Sequence, residues 1–294
     1  MNHATLPFRP VFIIGAGRSG TNILRDAICA LPDFATWPCD EINPIMRHGN
    51  IGMDHDRFTA QQATPAVAQF IRAAFTKEWK RQGKPAFVVE KTCANSLRVA
   101  FLNAIFPEAL FIHLYRHGGD VIASARKRWR GEMELPSIPY YWAKTRFTPL
   151  IDLPIYGWRF VRSRFRKATG QAEHMSAWGP MSPAMLSLNP DASLEEICTR
   201  QWVDCVSTAS ADLEQMDDTR TFPIAYEDFV AKPAEILDAI AQFAGAQVTS
   251  EQLQMAAANV RTNSVGKGAT VLAGCDQAIR DMAQPVLTQL GYSD

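Results

Sequence analysis

The sequence predicts an α/β fold: a doubly wound parallel sheet flanked by helices, with an irregular or helical insertion. Three observations carry it. Short apolar runs alternate with amphipathic segments along most of the chain. Each run ends in glycine or polar residues, as at strand-to-helix turns. Between about 130 and 192 the alternation stops, and prolines and tryptophans crowd in before it resumes near Ser193. Ligands of open parallel sheets bind outside the carboxyl ends of the strands. The polar groups that follow each run should therefore share one edge.

The first run is Val11-Phe12-Ile13-Ile14, followed by a turn containing Gly15, Gly17 and Gly20 and a helix marked by Ile23, Leu24, Ala27, Ile28 and Leu31. Glycines let the backbone turn sharply and approach a ligand closely. The helix start leaves N–H groups unpaired, and its dipole favours an anion there. Arg18, Ser19, Thr21 and Asn22 add donors at the same place. The turn is a P-loop-like cradle, best suited to a phosphate. Gly15 and Gly20 keep the GxxxxG spacing, but Thr21-Asn22 stand where a nucleotide P-loop carries Lys and then Ser or Thr. The positive charge lies inside the loop, on Arg18. Past the helix come Phe34-Ala35-Thr36-Trp37 and then Cys39-Asp40-Glu41-Ile42-Asn43.

The second run, Ala86 to Val89, ends in Glu90-Lys91-Thr92 and leads to a helical stretch through Leu97, Phe101, Leu102 and Ile105. The third, Ala109 to Tyr115, ends in Arg116-His117-Gly118-Gly119-Asp120 and leads to a helix through Val121, Ile122, Ala125 and Trp129. Arg116 can fork two hydrogen bonds onto a phosphate, with Ser124 adding a third and Arg128 one turn beyond. An ion pair between Arg116 and Asp120 is the plainer reading. Ser193 and Glu196 form a capping-box pattern at the next helix. Cys198 and Cys205 lie on its apolar face with Trp202, as core residues. A last run, Phe222-Pro223-Ile224-Ala225, precedes Tyr226-Glu227-Asp228.

At 294 residues the chain suits a single domain with 130–192 as an insertion. Lys plus Arg equals Asp plus Glu, 30 of each, which argues against a nucleic-acid surface. No apolar stretch reaches membrane-spanning length, and the N-terminus lacks a signal pattern, so a cytoplasmic protein is expected. The six cysteines form no CxxC pair and no histidine cluster has metal-ligand spacing, so neither disulfide nor metal is expected. From Arg126 to Lys167 there are eleven basic residues and three acidic ones. That excess reads either as a solvated face, including a basic helix over 160–167, or as an acceptor-site lid and contact with an acidic or membrane surface.

The loop and the Arg116–Ser124 segment together resemble the two phosphate motifs of sulfotransferases that use 3′-phosphoadenosine 5′-phosphosulfate (PAPS). The likeness is greatest to the bacterial and tyrosylprotein branch. Tyr226-Glu227-Asp228-Phe229 with Lys232-Pro233, and Asn263-Ser264-Val265-Gly266-Lys267, resemble two further family segments near the nucleotide. The resemblance spans residues 10 to 270, the middle segment excepted. It implies transfer of a sulfuryl group from PAPS to a hydroxyl or amine of a sugar, lipid, phenol or protein tyrosine. It also implies that Arg18, Ser19, Gly20, Thr21, Asn22, Arg116, Ser124, Arg128, Tyr226, Ser264 and Lys267 hold the cofactor. Gly268 stands where the family often has an aromatic, which leaves the register of Lys267 open. Glu41 aligns with the family's catalytic glutamate, with Trp37 and Ile42 placed to shelter it. Arg18 and Lys91 are placed to stabilise the transferring group. Asp40, His48, His55, His113 and His117 stay open as bases in place of Glu41. Two other readings compete: a P-loop phosphotransferase, and a non-catalytic nucleotide-binding protein on the same fold.

Overall fold

The computed structural model describes residues 5–129, 149, 179–189, 191–260, 266 and 268–292. Most of the expected insertion, its basic helix, Ser264 and Lys267 lie outside the described residues.

Five parallel strands form one sheet in the order β2-β3-β1-β4-β5: β1 Arg9–Ile14, β2 Phe34–Thr36, β3 Phe87–Glu90, β4 Leu110–Tyr115 and β5 Thr221–Ala225. The four expected runs are four of these strands. The fifth, β2, was not foreseen. Its three residues, at the sheet edge beside β3, are too few to show a periodicity.

Strand residues alternate between two apolar layers, as expected of a sheet covered on both faces. Phe12, Ile14, Val88 and Phe111 face one layer, packing with Phe75, Phe101 and Phe106. The helix α1 (Thr21–Cys29) follows β1, and the short α2 (Asn43–Met46) follows β2. Phe75 comes from α3 (Pro65–Arg81), Phe101 from α4 (Val99–Ile105), and Phe106 ends α4. Val11, Ile13, Val89, Leu110, Ile112 and Leu114 face the other layer, against Leu24 and Ile28 of α1 and against Phe229, Leu237 and Ile240. A third cluster joins α5 (Gly118–Trp129) to a later helix: Val121, Ile122 and Ala125 meet Cys198, Trp202 and Cys205. That helix follows a short turn, α6 (Pro183–Leu186), and is α7 (Leu194–Leu213). Ser193 caps it by accepting from the Glu196 N–H, 3.1 Å. Regular structure thus returns before Ser193, at α6, where Ser182 supplies the cap. After β5 come α8 (Tyr226–Ala231), α9 (Pro233–Ala244), α10 (Ser250–Ala257), α11 (Gly268–Ala273) and α12 (Gln277–Gln289). Among the described residues no helix is long and apolar enough to cross a membrane.

His113 sits inside β4 between apolar neighbours, not at the strand ends, so it is not a candidate base. Burial pushes its pKa down from 6.5 to about 4. Between those values the folded protein binds fewer protons than the unfolded chain, so stability falls as the pH drops through that window. Urea titrations of the wild type and of His113→Gln at pH 7 and pH 5 test this. The wild type should lose roughly 2 kcal/mol more than the variant at the lower pH.

Candidate functional site

Four turns meet at the carboxyl ends of β1, β3, β4 and β5. The turn after β1 is held tightly. A Cβ on Gly15 would stand 2.5 Å from the Leu114 carbonyl oxygen at the end of β4. Arg18 adopts φ 73°, a left-handed conformation that costs a non-glycine residue energy and that clusters at ligand sites. Gly20 follows at φ 91°, where a Cβ would lie 2.3 Å from the Tyr226 ring. Gly20 also starts α1, with no side-chain cap and no acidic residue in the first turn. The helix therefore offers its unpaired N–H groups and positive dipole end to an anion. Ser19 is 1% exposed, and its Oγ is buried with no hydrogen-bond partner among the described residues. An orphaned donor at an uncapped helix start fits a phosphate oxygen. Thr21 is buried and Asn22 exposed on the same turn.

The β4 turn delivers a second set of cationic groups. Arg116 is buried, and its guanidinium lies over the Tyr226 ring at 4.4 Å. It donates to the Arg18 carbonyl at 3.3 Å and pairs with Asp120 at 3.5 Å. The ion pair with Asp120 is therefore present, and the side chain lies beside the turn after β1. On α5, Ser124 Oγ accepts from Arg18 Nε at 3.0 Å, so the turn after β1 and the segment after β4 touch. Burial pushes the Arg18 guanidinium pKa down, and the charges of Arg128 and Arg116 push it further down against the opposing influence of Cys93. Arg128 and Arg116 thus both repel Arg18 at the loop. A bound anion would relieve their repulsion. Tyr226, 1% exposed, forms the wall between Gly20 and Arg116.

The β3 turn carries the third group. Lys91, buried at the strand end, donates from Nζ to Glu41 Oε1 at 3.3 Å, and the Cys93 N–H donates to the same oxygen at 3.2 Å. Burial pulls the Lys91 pKa down, but Cys93 and the Glu41 charge outweigh it, and the net direction is up. Lys91 is therefore charged at neutral pH. Glu41 keeps 27% of its side chain exposed, enough to meet a substrate. Its neighbour Asp40 pairs instead with Arg25, 3.2 Å away. Trp37 and Ile42, expected to shelter Glu41, are both buried in the core. Of the histidines, His48 stacks on Phe70 at 3.7 Å, and His117 Nδ1 accepts from the Gly119 N–H.

Several groups at this edge were not evident from the sequence. Glu227 accepts from the His117 N–H at 3.2 Å and from Tyr292 Oη at 2.7 Å, so the C-terminal segment braces the turn that bears Arg116. Asp120 accepts from the Gly266 N–H at 3.3 Å and so ties that segment to Arg116. Glu90, Thr92, Asn95 and Arg98 form a buried polar group behind Lys91. Only Glu90-Lys91-Thr92, closing an apolar run, offered any signal of it.

The chain is similar to known proteins in part of its sequence and in its fold. Residues 10–144 match the model of the sulfotransferase family, which bears out over that span the resemblance read from the motifs. No curated protein matches the chain in sequence. Among solved structures, the sulfotransferase domain from the curacin biosynthetic pathway is 18% identical, with 99% of each chain covered and a TM-score of 0.58. A sulfotransferase from Alicyclobacillus acidocaldarius is 12% identical, with 98% of each chain covered and a TM-score of 0.54. The sulfotransferase domain of the Synechococcus PCC 7002 olefin synthase is 18% identical, with 100% of this chain and 98% of that one covered and a TM-score of 0.52. The chain shares the fold of these proteins: a parallel five-stranded sheet flanked by helices.

Gly20→Ala tests the cradle. The new methyl meets the Tyr226 ring in a backbone conformation that disfavours alanine. The variant should lose stability, and anion affinity at the loop should fall at least about tenfold, a loss of roughly 1.4 kcal/mol. Thermal melts with and without an adenosine bisphosphate would read both.

Proposed function

We propose that the protein is a PAPS-dependent sulfotransferase that acts on a hydroxyl or amine acceptor. The observation that carries the reading is Arg18 reaching Ser124 while Arg116 lies against the Arg18 carbonyl, beside an uncapped helix start whose Ser19 hydroxyl is buried with no partner among the described residues. The backbone of residues 19–22 and Ser19 would hold the 5′ end of the nucleotide, with Arg116, Ser124 and Arg128 at the 3′-phosphate. Tyr226 fixes the distance between the two sets. Ser264 and Lys267 complete the proposed cofactor set on the strength of the resemblance.

PAPS, when bound, supplies an activated sulfuryl group. Glu41 would take the proton from the acceptor oxygen or nitrogen as it attacks, and Lys91 holds that carboxylate in place. Arg18 and Lys91 put fixed positive charge where negative charge develops on the leaving side, in a site partly shielded from water. The acceptor contacts are proposed to come from the 130–192 segment, because specificity usually resides in the loops mounted on a rigid sheet. That segment suits an acidic or membrane-associated acceptor.

Calorimetry with 3′-phosphoadenosine 5′-phosphate, with and without chelator, tests the cofactor. Binding is expected in both conditions. Binding of ATP in preference, or only with magnesium, would replace the assignment with a phosphotransferase. Arg116→Ala should weaken the bisphosphate by about 3 kcal/mol and Ser124→Ala by about 1 kcal/mol, following the charged and the single neutral hydrogen bond lost.

Sulfur-labelled PAPS incubated with fractionated host extracts identifies the acceptor by the fraction that takes the label. With that acceptor, Glu41→Gln should reduce turnover by roughly 10² or more while bisphosphate affinity stays near wild type. Near-normal turnover would remove Glu41 from the mechanism.

A further inference from the structure

A carboxylate at the end of β3 has no part in the chemistry above, yet it is 1% exposed. Glu90 accepts from the Thr92 hydroxyl through Oε1 and from Asn95 Nδ2 through Oε2. Both partners are themselves fully buried. A buried carboxyl is costly to keep in an apolar layer, and similar packing by apolar residues is commonly at least as stable. Its retention calls for a geometric role.

Two chains of hydrogen bonds lead from Glu90 to one place. In the first, the Thr92 hydroxyl gives its proton to Glu90, which turns its lone pairs outward. The Ile42 N–H donates to that Oγ1 at 3.1 Å. In the second, Asn95 has its amide nitrogen on Glu90 and its Oδ1 on Arg98 Nε, 2.8 Å away. Arg98 Nη2 then donates to the Asn43 side-chain oxygen at 2.8 Å. Ile42 and Asn43 are the two residues that follow Glu41. Glu41 itself receives the Cys93 N–H, from the residue after Thr92. The loop and the strand end are therefore stitched at three successive positions, 41, 42 and 43.

We infer that Glu90 is a positioning residue, whose buried carboxyl orients the Thr92 hydroxyl and the Asn95–Arg98 pair so that they fix the backbone carrying Glu41. The inference rests on the proposed function in that Glu41 is the group being aimed. The direction of each bond is what matters. Replacing the acceptor carboxyl by an amide puts a donor against one of two donors, so one of the two chains must rearrange. Burial, the largest influence, pushes the Glu90 pKa up to about 7, against Thr92, Arg98 and Lys91, which pull it down, and with Glu41, which adds to the rise. Arg98 stays charged although burial lowers it to about 10, and one of its nitrogens, Nη1, is buried with no hydrogen-bond partner. A guanidinium held at that cost is braced against the Phe58 ring, 5.5 Å away.

The test needs no acceptor. The full chain is made as wild type, Glu90→Gln, Thr92→Val and Thr92→Ser, with Glu41→Gln to assign the Glu41 carboxyl carbon resonance in glutamate-labelled protein. Amide hydrogen exchange at Ile42 is measured alongside that resonance. Glu90→Gln and Thr92→Val should each raise exchange at Ile42 by roughly tenfold, as expected on loss of one protecting hydrogen bond, and should move the Glu41 resonance. Thr92→Ser keeps the hydroxyl and should restore both. An Ile42 exchange rate and a Glu41 resonance unchanged in Glu90→Gln or in Thr92→Val, or a Thr92→Ser variant as perturbed as Thr92→Val, would overturn the inference. If Glu90→Gln fails to fold, the Thr92 pair still decides. Calorimetry with 3′-phosphoadenosine 5′-phosphate on the same samples separates the two claims. Absent binding in the wild type would remove the sulfotransferase reading, whereas the exchange data speak only to the tether.

Discussion

Three like charges gathered at one edge of a sheet are the constraint that the rest of the site answers. Arg128 and Arg116 each act on the Arg18 guanidinium through a partly buried space, where Coulomb repulsion is weakly screened. Arg116 lies on the Tyr226 ring and against Asp120, and Arg18 reaches Ser124 from a left-handed turn. A flexible surface would let such groups swing apart. Here the turns are anchored by parallel strands, whose common direction brings every turn to the same edge. An anion placed there would offset that repulsion without moving the turns, which is how preorganised sites gain affinity.

Tyr226 links the two halves of that arrangement. Its ring closes against Gly20 on one side and carries Arg116 on the other, so the spacing between the β1 and β4 turns depends on one buried side chain. The C-terminal segment reinforces the same place. Tyr292 and the His117 backbone share Glu227, and Asp120 reaches Gly266. Elements far apart in the chain therefore brace a turn that is itself short of side-chain bulk. The glycines Gly118 and Gly119 make that close approach possible: a Cβ on Gly119 would fall 1.9 Å from the Gly268 carbonyl oxygen.

The reacting side of the site is built differently. Glu41 stands on a loop with little regular structure around it, between the edge strand β2 and the four-residue helix α2. Such a loop cannot take its precision from a helix or a ladder of its own. It takes it from side-chain hydrogen bonds across to β3, through Lys91, the Cys93 N–H, Thr92 and the Asn95–Arg98 pair. A buried network of this kind has value only when every bond is in place, because each broken one leaves a desolvated polar group behind.

The layered α/β architecture and four of its five strands were legible in the amino-acid order alone, because short apolar runs ending in polar turns have few other solutions. So were the loop at Gly15–Gly20 and the Arg116–Ser124 segment, since glycine placement and charge at strand ends are local properties. The edge strand β2 was not, because its three residues have no pattern of their own and become a strand by pairing with β3. Partners, too, came only from packing. Arg18 with Ser124 is a contact across 106 residues, Lys91 with Glu41 across 50, and His117 with Glu227 across 110. The same holds for the partners of Glu41 and Asp40. The two are adjacent and chemically alike, and they part company because one meets Lys91 and the other Arg25. Strand and turn are set by neighbours along the chain, whereas a hydrogen bond or an ion pair depends on where distant segments pack, and that is fixed only when the core closes.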